Sequence, residues 1–106
     1  MKEIYSLAEI KEVIETEKIV LFYFTGENCN VCKSLRPKVL ESLQKMPEIK
    51  SYLVNLEKSP AIAGHFTIFS IPGILVFVEG KESIRAIRNI SVVELENKLQ
   101  RYLMLF

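Results

Sequence analysis

The amino-acid sequence predicts an α/β fold in which helices cover both faces of a mixed β-sheet. Two uninterrupted apolar runs, at residues 19–24 and 74–78, are typical of strands buried on both faces. Segments with apolar residues at helical spacing alternate with these runs along the chain. The 106 residues match the size of one domain, which we place at residues 1–106.

The chain begins with a helix and then a central strand. Ser6 and Glu9 form a capping-box pattern ahead of an apolar repeat at helical spacing, which predicts a helix over residues 7–16. Residues 18–24 are almost all apolar, β-branched or aromatic, as in a strand at the centre of a sheet.

The middle of the chain predicts helix, strand and short helix. The helix after the central strand spans residues 30–46 and contains Pro37, which removes one hydrogen bond and should kink the helix. Residues 50–56 form the next strand candidate. Residues 60–66 form a short helix, for which Ser59 is the candidate cap.

A hairpin and a final helix complete the predicted fold. Residues 74–78 read as a buried strand, and residues 83–88 alternate apolar and polar side chains like a strand with one wet face. Ser91 and Glu94 form a second capping box, which opens a helix with an apolar face. The order after the first helix is therefore β-α-β-α-β-β-α.

Both cysteines of the chain lie in the motif Cys29-Asn-Val-Cys32, between the central strand and the following helix. Unsatisfied N–H groups and the helix dipole at a helix start favour the thiolate of the first cysteine. The second cysteine, one turn deeper, can close a disulfide and release a partner held as a mixed disulfide. We therefore assign Cys29 as the attacking thiol and Cys32 as the resolving thiol. Metal ligation and two inert buried thiols are the alternatives.

Composition excludes several classes of partner. The net charge is +1, with 14 basic and 13 acidic residues interspersed, so no field attracts nucleic acid or an anionic membrane. No apolar run is long enough to span a bilayer, and the acidic N-terminal region does not resemble a secretory signal. We expect a cytoplasmic protein, in which a cysteine pair at this spacing is catalytic rather than structural.

The sequence resembles the thioredoxin family over residues 7–104. Besides the cysteine pair, Pro37 falls where thioredoxins kink the same helix, and Pro72 falls where they carry a cis-proline opposite the active site. Asn55 and Gly80 match an asparagine in the sheet and a glycine in the last hairpin of that family.

This resemblance implies a thioredoxin fold, with three α/β/α layers, a mixed sheet of four to five strands and about four helices. It also implies a thiol–disulfide oxidoreductase that reduces protein disulfides with no cofactor beyond its own cysteine pair. Its partners would be protein disulfide substrates and an unidentified reductase or thiol donor, and we expect a monomer.

The resemblance further implies a substrate-binding loop. The Ile71-Pro72 bond would be cis, so that the N–H and C=O of Ile71 face Cys29 and pair with an extended substrate segment. An ordinary trans proline that begins a strand is the alternative. Phe69 would lie on the rim of this loop as a hydrophobic contact, whereas Phe66, just upstream, is expected in the core.

The sequence departs from thioredoxins beside the cysteines. Thr25 and Asn28 stand where thioredoxins have tryptophans, and Asn30 and Val31 replace the glycine and proline between the cysteines. Neither intervening residue adds a positive charge beside Cys29, so we expect a weak oxidant. Because both tryptophans are replaced, we also expect the surface near Cys29 to be more polar than in thioredoxins.

The buried proton acceptor of the family is also replaced. Tyr23 stands in place of an aspartate and Leu53 in place of its lysine partner. A phenol is a poor base at neutral pH but can donate a hydrogen bond to sulfur. Either Cys32 would then lose its proton to water or to Glu27, or resolution of the mixed disulfide would be slow. The alternative for Tyr23 is a core aromatic whose hydroxyl binds the backbone.

Two further features carry less information. The one histidine, His65, is expected near the surface. A zinc site would need further ligands, which the sequence does not supply beside it, so no metal site is expected. The apolar end of the chain, residues 103–106, is expected to pack along the sheet or to join a dimer contact.

Two other functions fit parts of the pattern. A glutaredoxin-like, glutathione-dependent reductase is disfavoured because the glycine-glycine-aspartate signature does not follow Pro72. A binding or adaptor module, with the cysteines as a regulatory switch, fits the loss of the aspartate, lysine and tryptophans, since fold does not guarantee activity.

Overall fold

A computed structural model describes residues 1–106 and contains five strands and four helices. The strands are β1 (Lys2–Glu3), β2 (Ile19–Thr25), β3 (Lys50–Asn55), β4 (Gly73–Val78) and β5 (Lys81–Ile87). The helices are α1 (Leu7–Thr16), α2 (Asn30–Gln44), α3 (Pro60–Phe66) and α4 (Val92–Leu103). None of the helices has both the length and the apolar character needed to cross a membrane.

The strands form one mixed sheet in the order β1-β3-β2-β4-β5. β1, β3 and β2 are parallel, while β4 runs antiparallel to both β2 and β5. The sheet is therefore mixed, as the sequence predicts, and its five strands lie within the range of four to five that the family resemblance implies. β2 is its central strand, and six of its seven residues are buried.

Alternate residues of β2 supply the two halves of the core, because successive side chains of a strand point to opposite faces. One set joins a cluster that includes side chains of α2 and α4, and the other joins a cluster with side chains of α1 and α3. The first set is Ile19, Leu21 and Tyr23, and the second is Val20, Phe22 and Phe24. The fold is thus the three-layer α/β/α arrangement that the sequence predicts.

Most predicted elements lie within two residues of their observed bounds, but β1 was not predicted. This strand has only two residues, Lys2 and Glu3, which pair in parallel with Tyr52 and Leu53 of β3. A pair of charged residues carries no strand pattern, so this pairing comes from the tertiary structure.

The predicted caps form at α1 and α4 but only partly at α3. The hydroxyls of Ser6 and Ser91 accept hydrogen bonds from the N–H groups of Glu9 and Glu94. Ser59 does occupy the cap position of α3, but its side chain makes no capping bond. Its hydroxyl instead donates a hydrogen bond of 2.8 Å to the carbonyl of Tyr5.

The apolar C-terminus packs against the core only at its first residue. Leu103 contacts the cluster beside α2 and α4, whereas Met104, Leu105 and Phe106 are 82%, 74% and 50% exposed. The expectation that all of residues 103–106 pack along the sheet is therefore wrong. Because α4 ends at Leu103, the later residues no longer follow the repeat that keeps one face of a helix on the sheet.

Candidate active site

The two cysteines lie at the edge of the sheet where β2 and β3 end. Thr25 and Asn55, the last residues of these strands, are paired with each other. On the other side of β2, Gly73 at the start of β4 pairs with Phe24. The chain then leaves β2 and enters α2 through Cys29, so that the helix start lies beside the ends of the strands.

Cys29 and Cys32 form a disulfide, with their Cα atoms 5.2 Å apart. Cys29 is the cap residue of α2, and its sulfur accepts a hydrogen bond of 3.1 Å from the N–H of Cys32. Cys29 is half-buried, whereas Cys32 is only 1% exposed and belongs to the core beneath the site. Of the two sulfurs, that of Cys29 is therefore the one placed for attack by or on another molecule.

The electrostatics at the start of α2 favour a negative sulfur on Cys29. A side-chain cap satisfies an N–H group that has no partner within the helix, and the helix dipole adds positive potential at this end. No acidic residue lies in the first turn of α2 to oppose that potential. The intervening residues, Asn30 and Val31, are both exposed and uncharged.

Tyr23 lies fully buried below the cysteines. Its hydroxyl donates a hydrogen bond of 2.7 Å to the carbonyl oxygen of Cys32, not to a sulfur atom. Burial raises the pKa of the Tyr23 phenol to about 12, which outweighs the opposing effect of the positive charge of Arg36. The phenol is therefore protonated at neutral pH. Its geometry is that of a core aromatic bonded to the backbone.

A cycle of hydrogen bonds joins the loops after β2 and β3. Asn55 donates a hydrogen bond of 3.0 Å from its side-chain amide to Glu27, and accepts one of 3.0 Å from the N–H of Glu57. Glu57 in turn accepts a hydrogen bond of 3.1 Å from the N–H of Glu27. Glu27, one candidate proton acceptor, is exposed and is held by Asn55.

The loop before β4 has the predicted cis bond between Ile71 and Pro72. Neither the N–H nor the C=O of Ile71 takes part in a hydrogen bond within the chain. These groups remain available to pair with an extended segment of another molecule. Ile71 is half-buried and packs against the same cluster as Cys29.

Gly26 permits the close approach of Ile71 to the end of β2. A Cβ atom built on Gly26 would lie 2.7 Å from the Cδ1 of Ile71 and 2.6 Å from the Oε1 of Glu57. These distances are shorter than any ordinary contact, so a side chain at this position would displace both neighbours. Sequence reasoning missed Gly26 and Glu57, because both act through neighbours distant in the chain.

The aromatic residues near the loop separate as the sequence predicts. Phe69 is 77% exposed, while Phe66 is in the core that includes α1 and α3. His65 is exposed and meets the ring of Phe66 edge-on. The structure contains no group of three or more His, Cys, Asp or Glu side chains arranged to hold a metal ion.

The other positions at which this sequence departs from thioredoxins have side chains without an ionisable group. Asn28 is exposed, Thr25 is half-buried, and Leu53 packs against the cluster that contains Tyr23 and Cys32. No charged pair of the aspartate–lysine type is therefore present below the disulfide.

Comparison with known proteins gives a family match over most of the chain. The Thioredoxin family model matches residues 3–101. The chain is 31% identical to the thioredoxin-like protein YdfQ of Bacillus subtilis over 106 residues, which is all of this chain and 95% of that protein. It is 34% identical to a thioredoxin of Buchnera aphidicola over 93 residues, which cover 86% of this chain and 84% of that protein.

Solved structures show the same fold at lower sequence identity. The oxidised form of mitochondrial thioredoxin 3 from Saccharomyces cerevisiae superimposes with a TM-score of 0.88 and 19% identity. The match covers 95% of this chain and 94% of the yeast chain.

Proposed function

This chain belongs to the thioredoxin family and is a thiol–disulfide oxidoreductase that reduces protein disulfides, and we propose that Cys29 attacks the substrate and Cys32 resolves the intermediate. The observation that carries these roles is the difference between the two sulfurs. The sulfur of Cys29 caps a helix at the surface, whereas Cys32 is buried behind it.

In the first step, the thiolate of Cys29 attacks one sulfur of a substrate disulfide. A mixed disulfide forms between Cys29 and that sulfur, and the other substrate sulfur leaves as a thiolate that takes a proton from water. The N–H of Cys32, which bonds to the Cys29 sulfur in the oxidised protein, also stabilises the attacking thiolate.

In the second step, Cys32 loses its proton and attacks the sulfur of Cys29. The Cys29–Cys32 disulfide forms, and the bond from Cys29 to the substrate breaks, releasing the second substrate thiolate. Two electrons have then passed from the protein dithiol to the substrate. A reductase or a thiol donor of unidentified nature reduces the Cys29–Cys32 disulfide for the next cycle.

The proton of Cys32 goes to water or to Glu27 in this proposal, and Tyr23 takes no part as a base. The phenol of Tyr23, with its pKa of about 12, already carries its proton. Its hydrogen bond to the Cys32 carbonyl makes it a positioning residue, which fixes the backbone of the resolving cysteine.

The substrate segment pairs with the backbone of Ile71 beside Pro72. The free N–H and C=O of Ile71 support this step, because strand addition supplies affinity through main-chain hydrogen bonds without reading side chains. Phe69, 77% exposed on the same loop, provides an apolar contact at the rim.

The partners, the oligomeric state and the cellular location are also part of this proposal. We propose a monomer that acts in the cytoplasm and binds neither nucleic acid nor membrane. The near balance of 14 basic and 13 acidic residues supports the absence of electrostatic attraction to polyanions. A reducing compartment suits a reductase, because its cysteine pair must be returned to the dithiol form.

Insulin-disulfide reduction with dithiothreitol as donor tests the assignment. We expect turnover well above dithiothreitol alone, and loss of that turnover in both Cys29→Ser and Cys32→Ser. Cys32→Ser should in addition accumulate a mixed disulfide between Cys29 and the substrate, which mass spectrometry detects. Circular dichroism spectra of both variants control for folding.

The opposite pattern would reassign the roles. A mixed disulfide trapped by Cys29→Ser, and none by Cys32→Ser, would make Cys32 the attacking thiol. No turnover by the folded parent protein, with both thiols reactive to an alkylating reagent, would overturn the proposed function and favour a redox protein restricted to one partner or a binding module.

A further inference from the structure

Arg88 has an unusual backbone conformation beside the active site. It follows β5 directly and has a φ of 67°, in the left-handed region that disfavours residues with a side chain. Its N–H donates a hydrogen bond of 2.8 Å to the carbonyl of Pro72, so its backbone is fixed against the cis-proline loop. Strain of this kind at a site is a reason to look for function.

Arg88 also lies on a shallow groove that begins at the cysteine motif. The groove runs from the first turns of α2 to the loop between β5 and α4, and it is lined by Val31, Leu35, Arg88, Asn89, Ile90 and Ser91. Val31 lies between the two cysteines and is exposed, so the groove begins beside the disulfide. Arg88 is the one charged residue of the lining.

The guanidinium of Arg88 has no partner within the chain. It is exposed, it makes no side-chain hydrogen bond, and none of the four salt bridges of the molecule includes it. Arg85, three residues earlier, gives the contrast. Its guanidinium forms a salt bridge of 2.8 Å with Glu82 and donates a hydrogen bond of 2.7 Å to the carbonyl of Phe66.

The charges at this edge of the sheet are separated. Glu27 and Glu57 lie on the loops after β2 and β3, whereas Arg88 lies after β5, on the far side of β4. A protein segment bound along the Ile71-Pro72 loop therefore meets carboxylates at one side of the site and a free guanidinium at the other.

We propose that Arg88 is a specificity-determining residue, which selects protein disulfides that carry an acidic side chain close to the reacting cysteine. A guanidinium remains charged at all working pH values and binds a carboxylate through two parallel hydrogen bonds. The inference rests on the proposed function, since it assigns a preference to the same reduction reaction.

Two disulfide-bonded peptides that differ only beside one cysteine test the preference. One carries glutamates at the flanking positions, and the other carries glutamines. We expect kcat/KM of the parent protein to be about two- to fivefold higher for the glutamate peptide, the range of an exposed charge pair. The ratio should fall toward one as salt is raised, because salt screens exposed charges.

Variants at Arg88 locate the source of the preference. Arg88→Gln removes the charge and should reduce the ratio to about one, while Arg88→Lys should keep part of it. Arg88→Gly should also abolish the preference, and it guards against a folding defect because glycine adopts the left-handed backbone without strain. Arg101→Gln removes the same charge at the other end of α4 and should retain the preference of the parent protein.

Separate outcomes overturn the two proposals. Equal kcat/KM values for the two peptides at low salt, or an unchanged ratio in Arg88→Gln, would overturn the role of Arg88 and leave the reductase intact. Failure of the parent protein to reduce either peptide or insulin would overturn the proposed function itself.

Discussion

The two faces of β2 contain the same number of its core side chains but have different chemistry. The face toward α1 and α3 receives Val20, Phe22 and Phe24, which have no polar atom. The face toward α2 and α4 receives Tyr23, which lies in one cluster with Cys32. One strand therefore supplies an apolar face on one side and the support of a redox site on the other.

This difference shows how a small protein can separate stability from reactivity. Contacts on the apolar face stabilise the sheet without touching the cysteines. On the redox face, the Tyr23 phenol donates a hydrogen bond to the Cys32 carbonyl, so this face both buries apolar area and fixes the backbone of Cys32. Changes on the two faces should therefore have separable effects on stability and on the reaction.

The largest effect is expected from Phe22→Ala on the apolar face. Phe22 is fully buried and lies 5.9 Å from Phe77 and 6.0 Å from Tyr52 between ring centroids. Removal of such a ring should lower the free energy of unfolding by about 3–5 kcal/mol. Urea unfolding measures this loss, and the rate of insulin reduction per folded molecule should equal that of the parent protein.

Phe22→Leu provides a milder variant in case Phe22→Ala does not fold. A fall in the rate per folded molecule in either variant, beyond the loss of folded protein, would show that the two faces are not independent.

A smaller effect is expected on the redox face at alkaline pH. Burial raises the pKa of Tyr23 from 10.0 to about 12 in the folded protein. Because the pKa of Tyr23 is higher in the folded than in the unfolded protein, the contribution of this phenol to the free energy of unfolding is complete below pH 10. It is lost as the pH rises toward 12. The parent protein should lose about 1.4 kcal/mol more than Tyr23→Phe between pH 8 and pH 11.

Urea unfolding of both proteins at several pH values measures this difference, and Tyr5→Phe is the matched control because Tyr5 is 58% exposed. Identical pH dependence for the parent protein and Tyr23→Phe would show that the phenol ionises with an ordinary pKa.

Ser6→Ala should have a smaller effect, at the start of the helix on the apolar side. The hydroxyl of Ser6 accepts a hydrogen bond of 3.1 Å from the N–H of Glu9, and loss of such a cap costs about 0.5–1 kcal/mol. Thermal unfolding should show the decrease, with no change in the rate of insulin reduction. Ser6→Asn keeps a capping side chain and should retain the stability. An altered rate in Ser6→Ala would connect α1 to the site.

The smallest effect is expected on the pH dependence of the reaction in Tyr23→Phe. Since the phenol is protonated throughout the working range, single-turnover reduction should keep its pH profile between pH 6 and pH 9. Stopped-flow measurement of the reduced variant with a disulfide substrate checks this. A shifted profile would give the hydroxyl a part in proton transfer that its bond to the Cys32 carbonyl does not suggest.

Local patterns were enough to predict most of the fold. The central strand, the α3 helix and the caps at Ser6 and Ser91 follow from apolar periodicity and capping chemistry, which act between residues near in sequence. β1 was not predicted, because its two charged residues pair only after β3 is in place.

The parts of the site that belong to a sequence motif were predictable, whereas the parts formed by contacts between distant segments were not. The cysteine positions and the cis bond before Pro72 follow from spacing and family resemblance. The hydrogen-bond cycle through Asn55 and the unpaired guanidinium of Arg88 depend on loops from distant parts of the chain. The periodicity of apolar residues along the chain does not predict such contacts.

The unequal burial of the two sulfurs also has a consequence for the oxidation of this protein by peroxides. A peroxide that reaches the Cys29 thiolate oxidises it to a sulfenic acid, the first and reversible step toward irreversible oxidation. Cys32, shielded in the core, then condenses with that sulfenic acid, so that water leaves and the ordinary disulfide forms. The pair thus converts a damaging oxidation into an intermediate of its own catalytic cycle.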